Sequence, residues 1–308
     1  MIPITELMKN ILQWINGFIG NYGWSIILFT VAFRLVLMPL DIKSKVDMRK
    51  YSKEMSRLKP KLDAINKKYA NDPQKKQEKT AELYKKENVS MLGGCKGCIP
   101  VLLQYPLLIA FFAVFRNLSG EFAVQAANAV GHAINAADPA TYLQYVQDQG
   151  WSFLWIKNIW MPDIAMRLFG GGAGSLIVPN ATFAQVAKHG MEVAQYTEIM
   201  QPLIDTVKGV NGYFVLPVLA GVTQYLFTLI TPQADPSAAE NSSMKLMQYI
   251  FPLIFVYFTI TSTAAIALYW VTSNLFMMLS QFIVNKVLDA KEKKAQAAEG
   301  GNVEYEIN

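Results

Sequence analysis

The chain has 308 residues, of which 52% are hydrophobic and only 17% charged, and it carries a formal net charge of +5. Such a composition is too apolar, and its charges too unevenly spread, for one ordinary soluble domain. Sixteen of the 28 Lys and Arg residues lie between Lys43 and Lys96, while long stretches elsewhere carry no charge. A membrane body with one polar protrusion follows.

Residues 1–23 contain Glu6 and Lys9 and lack the charged, apolar, small-residue order of a cleavable signal, so the segment is expected to be retained. Its apolar residues Ile4, Leu7, Met8, Ile11, Leu12, Ile15 and Phe18 recur at steps of three and four or close to them. This predicts an amphipathic helix, either lying on the outer membrane surface or packed as an ordinary amphipathic helix. A hydrocarbon core of about 30 Å needs about twenty helical residues. Five transmembrane helices are predicted on that basis, at 24–42, 98–118, 213–231, 246–262 and 263–286. The last two come from one uncharged run, with its turn expected near 259–263.

Between the first two spans, Met48, Tyr51, Met55, Leu58, Leu62, Ile65 and Tyr69 keep the three- and four-residue spacing of one helix face. Asn71-Asp72-Pro73 breaks that pattern, and Gln74 to Asn88 reads as a second helix before Gly93-Gly94 ends it. Residues 43–97 therefore read as a cytoplasmic helical hairpin, with Pro60 expected to kink or loosen its first arm. Residues 119–212 form an extended extracytoplasmic loop whose Trp151, Phe153, Trp155 and Trp160 suit a membrane interface. Gly170-Gly171-Gly172 is not followed by Lys-Ser/Thr, so it reads as a linker and not as a phosphate loop. A cytoplasmic loop at 232–245 and a tail at 287–308 complete the chain.

Five spans put the termini on opposite sides. The segments 41–97 and 232–245 and the tail from Lys286 hold 21 Lys and Arg, against six in residues 1–23 and 116–212. The positive-inside rule then places the N-terminus outside and the C-terminus in the cytoplasm, in a multi-pass protein of the cell membrane.

Arg34 interrupts an apolar run, where an arginine costs about 2.5–3.5 kcal/mol on insertion scales. At about 1.5 Å per residue it lies about 9 Å from Leu40 and about 15 Å from Trp24, in the cytoplasmic half. It either snorkels to headgroups or faces a water-filled cavity open to the cytoplasm. Gln104, Gln224, Thr228, Thr272, Ser273 and Asn274 lie at comparable depth. Each could line that cavity or cross-link helices by hydrogen bonds.

Several blocks carry a family resemblance: Arg34-Leu-Val-Leu-Met-Pro39-Leu, Leu92-Gly-Gly-Cys95, Pro100-Val-Leu-Leu-Gln104-Tyr-Pro106, Phe153-Leu-Trp-Ile156 with Pro162-Asp163, Leu216-Pro-Val-Leu-Ala-Gly221-Val-Thr-Gln224 and Leu268-Tyr-Trp-Val-Thr-Ser-Asn274. In this order they resemble the YidC/Oxa1/Alb3 membrane protein insertases, of the Gram-positive-like type without a large periplasmic domain. The resemblance implies an all-α integral membrane protein with five transmembrane helices around a hydrophilic groove open to cytoplasm and lipid. It implies a chaperone-like insertase that moves short polar flanks of client proteins across the membrane and releases their apolar segments into lipid without ATP. The substrate groove would then comprise Arg34, Gln104, Gln224, Thr228, Tyr269, Trp270, Ser273 and Asn274. Implied partners are nascent membrane proteins and lipids, with the ribosome and a Sec translocon as further candidates; nothing points to DNA.

Two features depart from the family pattern. Cys95-x-x-Cys98 lies in an apparent three-residue insertion, and the stretch after Asp163 is extended. Zinc needs about four ligands and the only histidines, His132 and His189, fall in the outer loop, so the cysteines read as structural. No metal or cofactor is expected, nor an enzyme, since no Ser-His-Asp set or histidine cluster lies near the membrane. The competing reading is a solute or ion transporter, which an intramembrane charge and broken helices would also suit. Apart from Asp41 at the end of the first span, no acidic residue lies within the spans, which argues against it.

Overall fold

The computed structural model describes residues 3–89, 99–132, 139–163, 185–206, 211–231 and 242–304. Among them are nine α-helices and no strand: α1 (Pro3–Ile19), α2 (Tyr22–Lys68), α3 (Pro73–Lys86), α4 (Ile99–His132), α5 (Pro139–Asp148), α6 (Val193–Thr206), α7 (Val215–Ile230), α8 (Ser242–Thr261) and α9 (Ala264–Glu304). The protein is all-α, as its sequence pattern implies. By length and composition, α2 and the Ala264–Lys294 part of α9 suffice to cross a membrane, while Val215–Ile230 and Tyr249–Thr261 are shorter apolar helices. Pro39 and Pro60 both lie inside α2 without ending it. Cys95, Cys98 and the Gly170-Gly171-Gly172 linker fall outside the described residues.

Two compact units can be distinguished, one of residues 1–34, 105–226 and 250–275, the other of 35–104, 227–249 and 276–308. In the first, α4 buries Phe111, Phe115, Leu118 and Phe122, spaced at helical steps, against Phe29 of α2 and Tyr269 of α9. Between helices in lipid, close packing and dispersion outweigh the hydrophobic effect, so small residues matter. Ala264, Ala265 and Ala267 are fully buried at the start of α9. A Cβ on Gly221 of α7 would lie 2.4 Å from Val256 of α8, so glycine sets the approach of these two helices.

Helix α1 has two apolar faces. Met8, Leu12 and Ile15 are buried in the core of the first unit, whereas Leu7, Trp14 and Phe18 are 59%, 66% and 76% exposed. Lys9 pairs with Glu121 of α4 at 2.5 Å and fixes which face turns inward. Gly20, with φ of 70°, ends the helix in the left-handed conformation that glycine adopts without strain.

A single segment, 150–163, then receives the starts of three helices. Gly150 O accepts from the Tyr22 N–H at 2.9 Å, and Ser152 O accepts from Asn21 Nδ2 at 2.7 Å, while Asn21 Oδ1 caps the Gly23 N–H of α2. Met161 O and Ile159 O accept from the Ala264 and Ala265 N–H groups of α9 at 2.8 and 2.9 Å. The Asp163 carboxylate accepts from the Phe214 and Leu216 N–H groups at the start of α7, at 2.9 and 2.7 Å. Such bonds satisfy N–H groups that every helix start leaves without an intrahelical partner.

The second unit contains the hairpin. Met55, Leu58 and Leu62 of α2 are buried with Val89 and pack against Tyr51, Leu83 and Tyr84. Asp72 caps α3, its Oδ1 accepting from Lys75 N at 3.1 Å, and Pro73 follows where a missing N–H costs nothing. Arg57 and Lys61 pair with Glu87, Arg49 pairs with Asp289 and Glu292, and Lys53 lies 2.5 Å from Glu292.

Lys61 holds the Glu87 carboxyl below the usual carboxylate range; Arg49 does so for Asp289 and Lys53 for Glu292. A depressed folded pKa contributes stability that is complete above the unfolded value, about 4, and is lost as the pH falls through the lower folded value. Amide protection factors around residues 286–294, taken relative to the unstructured exchange rate at each pH, are therefore expected to be unchanged from about pH 8 to 6 and to fall below about pH 4. Being surface pairs, they should also weaken in about 1 M salt.

Candidate functional site

The candidate site is organised by α9. Residues four apart lie on one helix face, so Tyr269 and Ser273 form one polar stripe and Trp270 and Asn274 a neighbouring one. All four are at least nine-tenths buried. Aromatic stacking sets the helix rotation: the Tyr269 ring lies on Phe111 of α4 with centroids 4.2 Å apart, and the Trp270 ring on Phe255 of α8 at 4.0 Å.

The first stripe meets α2. Arg34 is only 4% exposed, and its Nε and Nη2 both donate to Ser273 Oγ at 3.2 Å. Arg34 and Ser273 are also the polar neighbours of the Tyr269 hydroxyl. A guanidinium has five donors and stays charged in proteins. Holding it among side chains is tolerable only where acceptors surround it. One turn earlier in α2, buried Thr30 donates its hydroxyl to Ile26 O of its own helix.

The second stripe meets α7. Trp270 Nε1 donates to Gln224 Oε1 at 3.2 Å. The Asn274 carbonyl best faces α7, where it accepts from Thr223 Oγ1, Trp270 Nε1 and the Gln224 N–H, each at 3.2 Å. Polar side chains on facing helices here satisfy one another.

This geometry can be set beside known proteins. Residues 14–293 match the family described as 60Kd inner membrane protein. The chain belongs to that family. Among its relatives are proteins named Membrane protein insertase YidC from Wolinella succinogenes, 29% identical over 94% of this chain and 38% of the relative, and from Campylobacter jejuni, 30% identical over 96% and 40%. A third, from Pelodictyon phaeoclathratiforme, is 30% identical over 94% and 38%. The chain thus spans about two fifths of the length of these relatives.

In this chain the first unit brings together six residues singled out in the sequence: Arg34, Ser273 and Tyr269 at one stripe, and Gln224, Trp270 and Asn274 at the other. Thr228 is half-buried and belongs to the second unit, and the Gln104 side chain lies outside the described residues. Thr223 joins the second stripe although the sequence reading passed over it. A threonine one residue before Gln224 has no distinguishing spacing, and its hydroxyl also bonds its own helix at Leu219 O. Among the described residues no group of His, Cys, Asp and Glu could hold a metal ion.

Proposed function

We propose that this chain is a membrane protein insertase that conducts short polar flanks of client proteins partway across the bilayer and releases their apolar segments into lipid without ATP. The observation that carries this reading is the buried Arg34 against Ser273, beside a second polar stripe on α7 and α9. The relatives' names favour insertion over solute transport.

The free energies favour such a division of labour. A client span gains roughly 25 cal/mol per Å² of apolar surface removed from water, whereas its charged flank opposes entry into a low-dielectric layer. A polar track holding one fixed cation shortens the dehydrated path and attracts acidic residues in the flank. The protein need make and break no covalent bond, so the role is that of a chaperone and not of an enzyme.

The remaining parts take places that suit this work. Five spans at 24–42, 98–118, 213–231, 246–262 and 263–286 surround a groove lined by Arg34, Gln104, Gln224, Thr228, Tyr269, Trp270, Ser273 and Asn274, with the N-terminus outside and the C-terminus in the cytoplasm. The hairpin at 43–97 and the basic tail receive nascent clients, alone or delivered by the ribosome or a Sec translocon. The exposed face of α1, with Trp14 and Phe18, lies among outer headgroups.

The test is insertion of a purified single-span client into liposomes holding only this protein. Protease protection of the client's outer flank is expected without ATP. Ion flux in the absence of client, with no protection, would favour transport instead.

A further inference from the structure

Lys45, Arg49, Lys53, Arg57 and Lys61 of α2 follow one another at steps of four, so their side chains form one row along the helix. At about 1.5 Å per residue the charges stand about 6 Å apart and the row is about 24 Å long. Acceptors from two other parts of the second unit hold it. Lys45 Nζ donates to Ser280 Oγ at 2.9 Å and to Met277 O at 3.4 Å, and Arg49 Nη1 donates to Asn285 O at 3.3 Å. Arg49 also pairs with Asp289 and Glu292, and Lys53 with Glu292. Arg57 and Lys61 both reach Glu87, the residue that ends α3.

The two sets of acceptors are anchored differently. Asn88, at a φ of 53°, turns the chain so that Val89 is buried with Met55, Leu58 and Leu62, which fixes Glu87 by apolar packing next to it. In α9, by contrast, no residue from Asn285 to Lys294 is buried. Asp289 and Glu292 turn to the row while Lys286, Lys291, Lys293 and Lys294 are exposed. Polar contacts therefore attach this stretch to α2, and exposed ion pairs are individually weak and screened by salt. Where the two sets meet, Lys53, Glu54, Arg57, Glu87, Asn88 and Val89 line an open cleft of about 320 Å³.

We propose that this row is a docking surface for an acidic helical segment of another polypeptide, and that residues 285–294 of α9 occupy it at rest as an intramolecular stand-in. Carboxylates four residues apart on a helix repeat at the same interval of about 6 Å as the cations, and α9 shows that a helix bearing acids fits there. Phosphate chains suit the cleft less well. Glu54 and Glu87 repel them, and no ring lines the cleft on which a base could stack. Docking at this row goes beyond the insertase reading and does not depend on it.

The experiment follows binding of a fluorescent helical peptide with Glu at every fourth position, and of its Gln counterpart, to the full chain in detergent. Wild type is expected to bind the Glu peptide and not the Gln peptide. Asp289→Asn/Glu292→Gln, which weakens the stand-in, should bind the Glu peptide at least about threefold tighter, because the wild-type row is open only part of the time. Arg49→Gln/Lys53→Gln, which removes two charged donors, should bind it at least about tenfold more weakly. In a Cys95→Ser/Cys98→Ser background, spin labels at Ser56→Cys and Lys294→Cys should move apart when the Glu peptide is added. Equal binding of the two peptides, or no gain in the Asp289→Asn/Glu292→Gln variant, would overturn the proposal. So would a single-stranded RNA that binds more tightly than the Glu peptide and loses affinity in Arg49→Gln/Lys53→Gln. If that variant fails to fold, the two peptides on wild type and on Asp289→Asn/Glu292→Gln decide. A wild type that binds the Glu peptide but inserts no client would sink the insertase reading and leave the docking surface standing.

Discussion

Replacing Arg34 by glutamate is expected to abolish insertion of a client whose outer flank is acidic, while Arg34→Lys retains most of it. The Arg34 guanidinium is 4% exposed and donates twice to Ser273 Oγ. At an effective dielectric constant of about 20, two unit charges about 4 Å apart interact by about 4 kcal/mol. Turning attraction into repulsion should therefore slow insertion at least about a hundredfold, since each 1.4 kcal/mol is a factor of ten. Lysine keeps the charge and loses only the forked donor geometry. Equal rates for all three proteins in liposomes would remove fixed charge from the mechanism. A paired exchange, Thr30→Arg with Arg34→Thr, separates charge from position: full activity there would show that a polar environment anywhere along α2 suffices.

Gly212→Val is expected to cause the largest loss of stability. A Cβ at this position would lie 2.0 Å from Asp163 Oδ1 and 2.7 Å from Ile156 Cδ1, and the added methyl groups demand still more room. Either the Asp163 carboxylate leaves the Phe214 and Leu216 N–H groups or the backbone of 211–216 moves. Overpacking and unpaired buried groups together cost about 3 kcal/mol or more. Thermal unfolding in detergent should move down by about 5 to 10 °C, the shift such a loss gives in a protein of this size. Gly131→Ala serves as a control, because the nearest atoms to an added Cβ there are 3.9 Å away, in ordinary contact. A Gly212→Val midpoint equal to that control would show that the Asp163 contacts yield without cost.

The parts legible in the sequence were those where a residue sits against its surroundings. Arg34, Gln224, Ser273 and Asn274 stand in apolar runs, where a polar group is costly unless it has partners, and the structure gives each a partner. Asp72-Pro73 signals a helix start because capping chemistry is local, and α3 begins there. The helical spacing of Met55, Leu58 and Leu62 likewise names the face they bury. What could not be read was pairing over long separations. Arg49 and Asp289 stand 240 positions apart, and nothing in either neighbourhood names the other. Asn158 and Asn211 are plain loop asparagines until folding makes them adjacent. The reading of α1 was half resolved: periodicity showed an amphipathic helix, but not that Met8 and Leu12 would pack inward while Leu7 and Trp14 faced outward.

The contacts of Asn211 also bear on how freely this family can change length. Asn211 grips the carbonyls of Met161 and Pro162 and so holds the ends of the intervening stretch together, while Val186, Met191, Tyr196 and Met200 within it are buried in the core of the first unit. The closure entropy of that stretch grows only with the logarithm of its length, about 0.6 kcal/mol per doubling. A change of length within it therefore costs little closure entropy. The same economy offers a grafting point: a small fluorescent protein spliced between residues 164 and 184 would label the protein without a tag at either terminus.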